Sequence, residues 1–277
     1  MLTFGTPDPQ ILDTVRAVVG RLENDTGIWS SQVMVVGAHA RDAIHSGLGR
    51  AGFFRATDDV DLALALSGWD AYQPVTKTYT RLGDSDMRYA VDGVPVDFLP
   101  FGPHIEEPPG TVTPPPRKEG WTVAGFQDVY NHSQTVRLTP RGNTVQVPSP
   151  AGYTALKLRS WADRAANYDT KDARDLALAC SWYTSSTWVE DQLYNTAHGQ
   201  KLLENCSFDQ ELAAVGFLSH EVAAVFSHSV KTNLASDLRA ANRSLFAREF
   251  TTSSRFLDEE NRSHRESLIS ALFSAIV

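Results

Sequence analysis

The sequence predicts an α/β N-terminal half followed by an all-helical C-terminal half. Three observations carry that prediction. Residues 33–37, VMVVG, form a short apolar run that fits a buried strand, and residues 59–66, DVDLALAL, alternate as a strand with one apolar face. Around them, Ile11, Val15, Val18, Val19 and Leu22 fall at helical spacing. The character then changes at Pro148-Ser149-Pro150, where Ser149 can cap a helix and Pro150 suits its first turn. From that point the pattern is helical nearly to the end, so the reading is a 1–148 α/β domain and a 149–277 helical domain.

Taken in order, residues 9–22 predict an amphipathic helix, and residues 25–27 supply turn chemistry. After the strand at 33–37 a helix is expected to start just after Gly37 and run through Arg41 to about His45, broken by Ser46, Gly47 and Gly49. In residues 59–66, Val60, Leu62, Leu64 and Leu66 share the core face, while Asp59, Asp61, Ala63 and Ala65 share the other. A helix is expected over 69–82. Two strands follow, 88–90 and 94–99, joined at Asp92-Gly93, a hairpin dipeptide. Residues 102–117 contain PPG and PPP and are expected to be a long surface loop without regular structure. Strands are expected near Val123 and over 144–147. Helices are expected over 153–166 and 171–183, and then through Leu193, Leu212, Val222, Leu245 and Leu268. The sequence contains no internal repeat.

Composition bounds the function. The chain has 277 residues, 42% hydrophobic and 21% charged, an ordinary globular balance. No apolar run is long enough to span a bilayer, and MLTFGTPDPQ lacks the pattern of a secretory signal. The two cysteines, Cys180 and Cys206, form neither metal-ligand spacing nor a disulfide framework. A cytoplasmic protein with no membrane partner is therefore expected. The net charge of −8 argues against coating nucleic acid by bulk electrostatics. Two basic stretches are candidate local grooves: Lys157, Arg159, Arg164, Lys171, Arg174, and Arg239, Arg243, Arg248, Arg255, Arg262, Arg265. A solvated helix face is the plainer reading of the second.

The chemistry concentrates at Asp59 and Asp61. Two residues apart on a strand, their side chains point the same way with Cα atoms roughly 6.5–7 Å apart, so they can converge on a hard cation. Alone, D-x-D is common, and a turn or helix cap explains many cases; Asp58 fits that plain role. The alternation running on to Leu66 is what raises the pair above chance. Asp97, on the polar face of a later strand, is placed to be a third ligand in a two-metal clamp. Gly37-Ala38, between a strand and a helix, can bring backbone N–H groups and a helix terminus to a phosphate; Arg41 and His39 can also reach one. Asp42 is a natural partner for Arg41. On the helices, Lys157, Trp161 and Arg164 share one face. Lys157 could point into a cleft between the domains and neutralise a triphosphate, with Asp172 or Asp175 orienting Lys157 or Arg164. Surface ion pairs are the alternative reading of that set.

Four blocks in order, VVGAHARD, RATDDVDLAL, VPVDFLPFG and ALKLRSWADR with KDARDL, resemble the bacterial nucleotidyltransferases of the AbiEii/AbiGii toxin type. The similarity runs from about Val33 to Tyr194 and does not extend past Phe226. The resemblance implies a polymerase-beta-like core, an α/β (α+β) nucleotidyltransferase fold with a small mixed sheet flanked by helices. It implies Gly37-Ala38 as the phosphate turn and Asp59, Asp61 and Asp97 as catalytic and metal-binding residues. It further implies roles for Lys157 and Asp172, with Asp175 a rival to Asp172. Gly37, Ala38, Arg41, Lys157 and Arg164 are then the nucleotide-binding set. The implied cofactor is Mg2+ and the implied co-substrate an NTP such as ATP. The implied activity transfers a nucleoside monophosphate to a hydroxyl and releases pyrophosphate. In such toxins the acceptor is commonly the 3′ end of tRNA, and a cognate antitoxin is the implied partner. Ala38 departs from the Ser or Gly frequent in the broader superfamily. It removes a hydroxyl from the phosphate turn but leaves the backbone N–H groups.

Three other readings remain open at this level. The same fold can serve as a catalytically silent nucleotide-binding scaffold. The acceptor can be a protein or a small molecule. A sugar-nucleotide glycosyltransferase also uses D-x-D, but it fits the glycine turn, Asp97 and Lys157 poorly.

Overall fold

The apolar run at 33–37 becomes the inner strand of a mixed sheet. In the computed structural model, residues 1–51, 57–115, 119–139, 142–164, 171–241, 243–251 and 259–277 are described. The chain divides into two units, Thr3–Ser149 and Pro150–Val277 with Met1–Leu2. An α/β unit with a seven-stranded mixed sheet and a helical unit are both present, as the sequence predicts.

In the first unit a 3-10 turn at Pro9–Leu12 leads into α1 (Asp13–Thr26), which buries Val15, Val18, Val19 and Leu22. The strand β1 (Val33–Val35) is buried throughout, and α2 (Gly37–Gly47) follows it directly. Next come β2 (Val60–Ala65), α3 (Trp69–Thr78), β3 (Thr80–Arg81), β4 (Arg88–Val91) and β5 (Val94–Phe101). The unit closes with β6 (Thr111–Val112), β7 (Trp121–Thr122), α4 (Phe126–Asn131), β8 (Gln134–Arg137) and β9 (Thr144–Val147). The strand order is β3-β4-β5-β2-β1-β9-β8. The pairs β2–β5 and β1–β9 are parallel and the others antiparallel.

The core lies on the face that the alternation marks. Val60, Leu62 and Leu64 of β2 and Val96 and Phe98 of β5 are fully buried, with Tyr79 stacked on Phe98. Complete burial of each such side chain contributes roughly 1.5–3 kcal/mol. The β4–β5 hairpin turns on Asp92 and Gly93, both at positive φ (48° and 83°). That is the backbone a two-residue type I′ turn needs, and it explains the dipeptide.

Three local expectations are corrected, and one strand has no expectation to match. Strand β2 starts at Val60, so Asp59 sits at a bend just before it: the Thr57 hydroxyl bonds both the Asp59 carbonyl and its carboxylate, turning the segment ahead of the first ladder pair. Helix α3 ends at Thr78, not near residue 82, because Tyr79 is already extended and Thr80–Arg81 pair with β4. Within 102–115, part of the chain expected to be structureless is organised. Glu106 accepts hydrogen bonds from the Gly102 and Gly110 amides, Ile105 and Val112 are buried, and β6 pairs with β7. Residues 116–117 of that stretch lie outside the described residues. The edge strand β8, QTVR, offers one buried apolar side chain, Val136, which is too little alternation to be seen in advance.

The helical unit is built around a helix that is apolar on nearly every side. It comprises α5 (Pro150–Arg164), α6 (Lys171–Thr184), α7 (Thr187–Asn195), α8 (Ala197–Asn205), α9 (Gln210–Val225), α10 (His228–Ala240), α11 (Arg243–Glu249) and α12 (Glu259–Phe273). Ala213, Ala214, Val215, Phe217, Leu218 and Val222 bury all around α9, which packs against α5, α6, α7, α8 and α12. Such a helix is stable only when surrounded. Asp209 caps it through the Leu212 amide. No helix among the described residues is long and apolar enough to cross a membrane. Residues 165–170 and Arg255 lie outside the described residues, so the end of the helix expected over 153–166 and one arginine of the second basic stretch are not described.

Candidate active site

The site face of the sheet is the one opposite Val60, Leu62 and Leu64. Asp61 of β2 is in register with Asp97 of β5, and Arg88 of β4 is in register with Asp97 from the other side. Residues in register share a face, so the three side chains emerge on the same side. The arginine closes the group. Arg88 Nε donates to Asp97 Oδ1 at 2.8 Å, and Nη2 donates both to Asp97 Oδ2 at 2.8 Å and to Asp59 Oδ2 at 2.6 Å. Asp59 and Asp97 are thus held on one guanidinium nitrogen.

Those two carboxylate oxygens lie no more than about 5.4 Å apart, the 2.6 and 2.8 Å legs laid end to end. Two unit negative charges at that spacing repel by about 3 kcal/mol at an effective dielectric of about 20, which is why a cation belongs between them. The Thr57 hydroxyl, donating to Asp59 Oδ1 at 2.6 Å, and then the Arg88 guanidinium hold the Asp59 carboxyl below the usual carboxylate range.

Asp61 occupies a different niche, at the start of α2. Gly37, the first residue of that helix, has φ +63°, and a Cβ there would lie 1.9 Å from Asp61 Oδ2. Only glycine fits, first because of the backbone and then because the carboxylate fills the place of a side chain. The Val36 amide donates to the Asp61 carbonyl at 3.1 Å, fixing the strand to the start of the helix. Asp61 therefore lies against the positive end of α2, and Ala38 adds no side-chain donor there. Arg41 Nε donates to buried Asp42 at 2.7 Å, the pairing expected of Asp42. Burial lowers the pKa of His39 in spite of Asp42 and Asp59, so its ring is neutral at pH 7.

The donor set suits a hard cation: three carboxylates, two of them already converging on one point, and a glycine cradle that admits the third. Among the described residues, however, no three His, Cys, Asp or Glu side chains are gathered into a metal-binding group. Arg88 Nη2 lies between Asp59 and Asp97, 2.6 and 2.8 Å from an oxygen of each.

The helical unit holds a second charged cluster. Lys157 of α5 reaches Asp172 at 3.2 Å and Asp175 at 2.6 Å, both on α6, and Arg164 reaches Asp172 at 2.9 Å. Asp172 is completely buried. Burial works to lower the Lys157 pKa, but Tyr153, Asp175 and Asp172 outweigh it and hold the group above its ordinary value. The ammonium form of Lys157 is therefore favoured. Its charge, expected to face a triphosphate, is met within its own unit by two aspartates.

Sequence reasoning passed over Arg88 and Thr57. Arg88 had a signal: counting outward from the Asp92-Gly93 turn pairs Val91 with Val94 and hence Arg88 with Asp97. Thr57 had none, because a hydroxyl two residues before an aspartate is too common to single out.

No family model matches the chain, and no curated protein matches it. Among solved structures it is similar to the crystal structure of an antigenic nucleotidyltransferase-like protein from Paracoccidioides brasiliensis. That similarity has a TM-score of 0.38 and 17% identity, over 72% of this chain and 93% of that one.

Proposed function

We propose that the α/β unit transfers a nucleoside monophosphate from an NTP to a hydroxyl acceptor and releases pyrophosphate, with Mg2+ bound at Asp59, Asp61 and Asp97. One observation carries this reading: Asp61 and Asp97 stand in register on parallel strands, Asp59 and Asp97 converge on one guanidinium, and Asp61 lies beside a glycine-opened helix terminus. The ion, when bound, supplies Lewis-acid charge that neutralises the triphosphate and the developing leaving group.

The chain's own residues do the rest. The α2 terminus opened by Gly37 and Ala38 receives phosphate oxygens through backbone N–H groups. Asp97 accepts the proton of the acceptor hydroxyl as its oxygen bonds to the α-phosphorus. The bond from that phosphorus to the bridging oxygen of pyrophosphate breaks, and the electron pair leaves with pyrophosphate. Arg41, on α2, adds positive charge on the leaving side. The acceptor and setting that follow from the sequence resemblance are the 3′ end of tRNA and a toxin held by an antitoxin.

The test is incubation of the full chain with each labelled NTP, Mg2+, total RNA and lysate proteins, alongside Asp61→Asn. Label on one acceptor band from the native chain, lost in the variant, is expected. Full transfer by Asp61→Asn removes the mechanism. A catalytically silent nucleotide-binding scaffold is the second reading, and the guanidinium between Asp59 and Asp97 is the observation that favours it. NTP binding without transfer to any acceptor supports that reading.

A further inference from the structure

We propose that Arg88 is a tethered counter-cation that occupies the metal position between Asp59 and Asp97 and must leave before a divalent ion can bind there. The inference rests on the metal-dependent reading above and deepens it, since it names what holds the site in its metal-free form.

The geometry argues for a competitor and not a bystander. One nitrogen, Nη2, touches an oxygen of each aspartate, and Nε takes the remaining oxygen of Asp97. A cation bridging the two carboxylates needs the same oxygens. Guanidinium and divalent ion therefore exclude each other. The side chain also has a way out: Arg88 is 39% exposed, and Asp59 and Asp97 are 35% and 26% exposed. Its strand position fixes the base of the tether, because Arg88 pairs with Asp97 in the β4–β5 ladder. Charge supplies the direction of exchange. Arg88 brings one positive charge to the two carboxylates of Asp59 and Asp97, and a divalent ion brings two. The consequence is a site that keeps its carboxylates together without metal and binds metal more weakly than its donors alone would.

The experiment is Mn2+ binding to the full chain without nucleotide, read by electron paramagnetic resonance, for the native protein, Arg88→Gln, Arg88→Lys, Arg81→Gln and Asp61→Asn. Arg81 is on the neighbouring strand β3 and pairs with Asp86, so its loss makes the same charge change without touching Asp59 or Asp97. Arg88→Gln is expected to bind Mn2+ at least about tenfold tighter than the native chain, Arg88→Lys to fall between them, and Arg81→Gln to match the native chain. If Arg88→Gln folds only with metal present, that dependence, read as a Mg2+-induced rise in Tm larger than the native one, supports the proposal as well. Equal or weaker binding by Arg88→Gln, with binding lost in Asp61→Asn, overturns the tether and leaves metal-dependent transfer standing. No Mn2+ binding by any of the five overturns both.

Discussion

Two clusters of aspartates and cations sit in this chain, and they are built on opposite plans. On the sheet face, Asp59 and Asp97 share one cation, Arg88, and the pairs are partly open to solvent. In the helical unit, Asp172 and Asp175 face Lys157 and Arg164, charge for charge, around an aspartate with no exposed surface. The first places two carboxylates on one guanidinium and stays partly open to solvent. The second is already complete. Two carboxylates on one accessible cation suit a binding site, whereas ion pairs around a buried aspartate fix two helices in place. The two regions should therefore respond oppositely to the same kind of change.

The largest effect on stability should come from the helical cluster. Asp172→Ala leaves Lys157 and Arg164 without their buried partner, and loss of about 3–5 kcal/mol is expected from breaking such a pair. Urea unfolding of the full chain measures it; a cost under about 1 kcal/mol would mean that the cluster is loose enough to serve a ligand. Gly37→Ala comes next. A methyl 1.9 Å from Asp61 Oδ2, on a backbone at φ +63°, should cost about 1–3 kcal/mol and displace Asp61. Transfer should fall at least about 100-fold, more than that modest destabilisation accounts for. Asp61→Asn should reverse the pattern seen at Asp172: the same loss of transfer, with stability unchanged to within about 0.5–1 kcal/mol. Equal destabilisation by Asp61→Asn and Asp172→Ala would erase the distinction between the clusters.

How much of this was readable in the sequence depends on how far each contact reaches along the chain. The β2 alternation marks its core face directly, and the Asp92-Gly93 turn fixes the β4–β5 register, so Asp61 and Asp97 were legible as candidates. The convergence of Asp59 and Asp97 on Arg88 required that register to be carried down to Arg88. The closeness of Gly37 to Asp61 depends on β1 ending beside β2, and no local pattern states which strands are neighbours. The pairing of Arg164 with Asp172 spans two helices whose faces can be drawn but whose crossing cannot. Sequence periodicity reports which face a residue is on; it does not report what stands opposite.

The smallest expected effect separates the clusters by pH. Asp59 has a folded pKa below its unfolded value, set first by Thr57 and then by Arg88. Between the two values the unfolded chain binds more protons, so stability rises with pH there and is lost as pH falls below about 3.9. Lys157 has a folded pKa above its unfolded value of about 10.4. Its folded form keeps the proton longer, so its contribution is complete below that pH and is lost as pH climbs beyond it. With a chelator present, Asp59→Asn should flatten part of the acid limb of a stability–pH curve and leave the alkaline limb alone. Lys157→Met should do the reverse, apart from an overall drop because Asp172 and Asp175 lose a shared partner. Native and variant curves from urea unfolding at each pH make the comparison, and a change in the same limb for both variants would show that the two clusters are not energetically distinct.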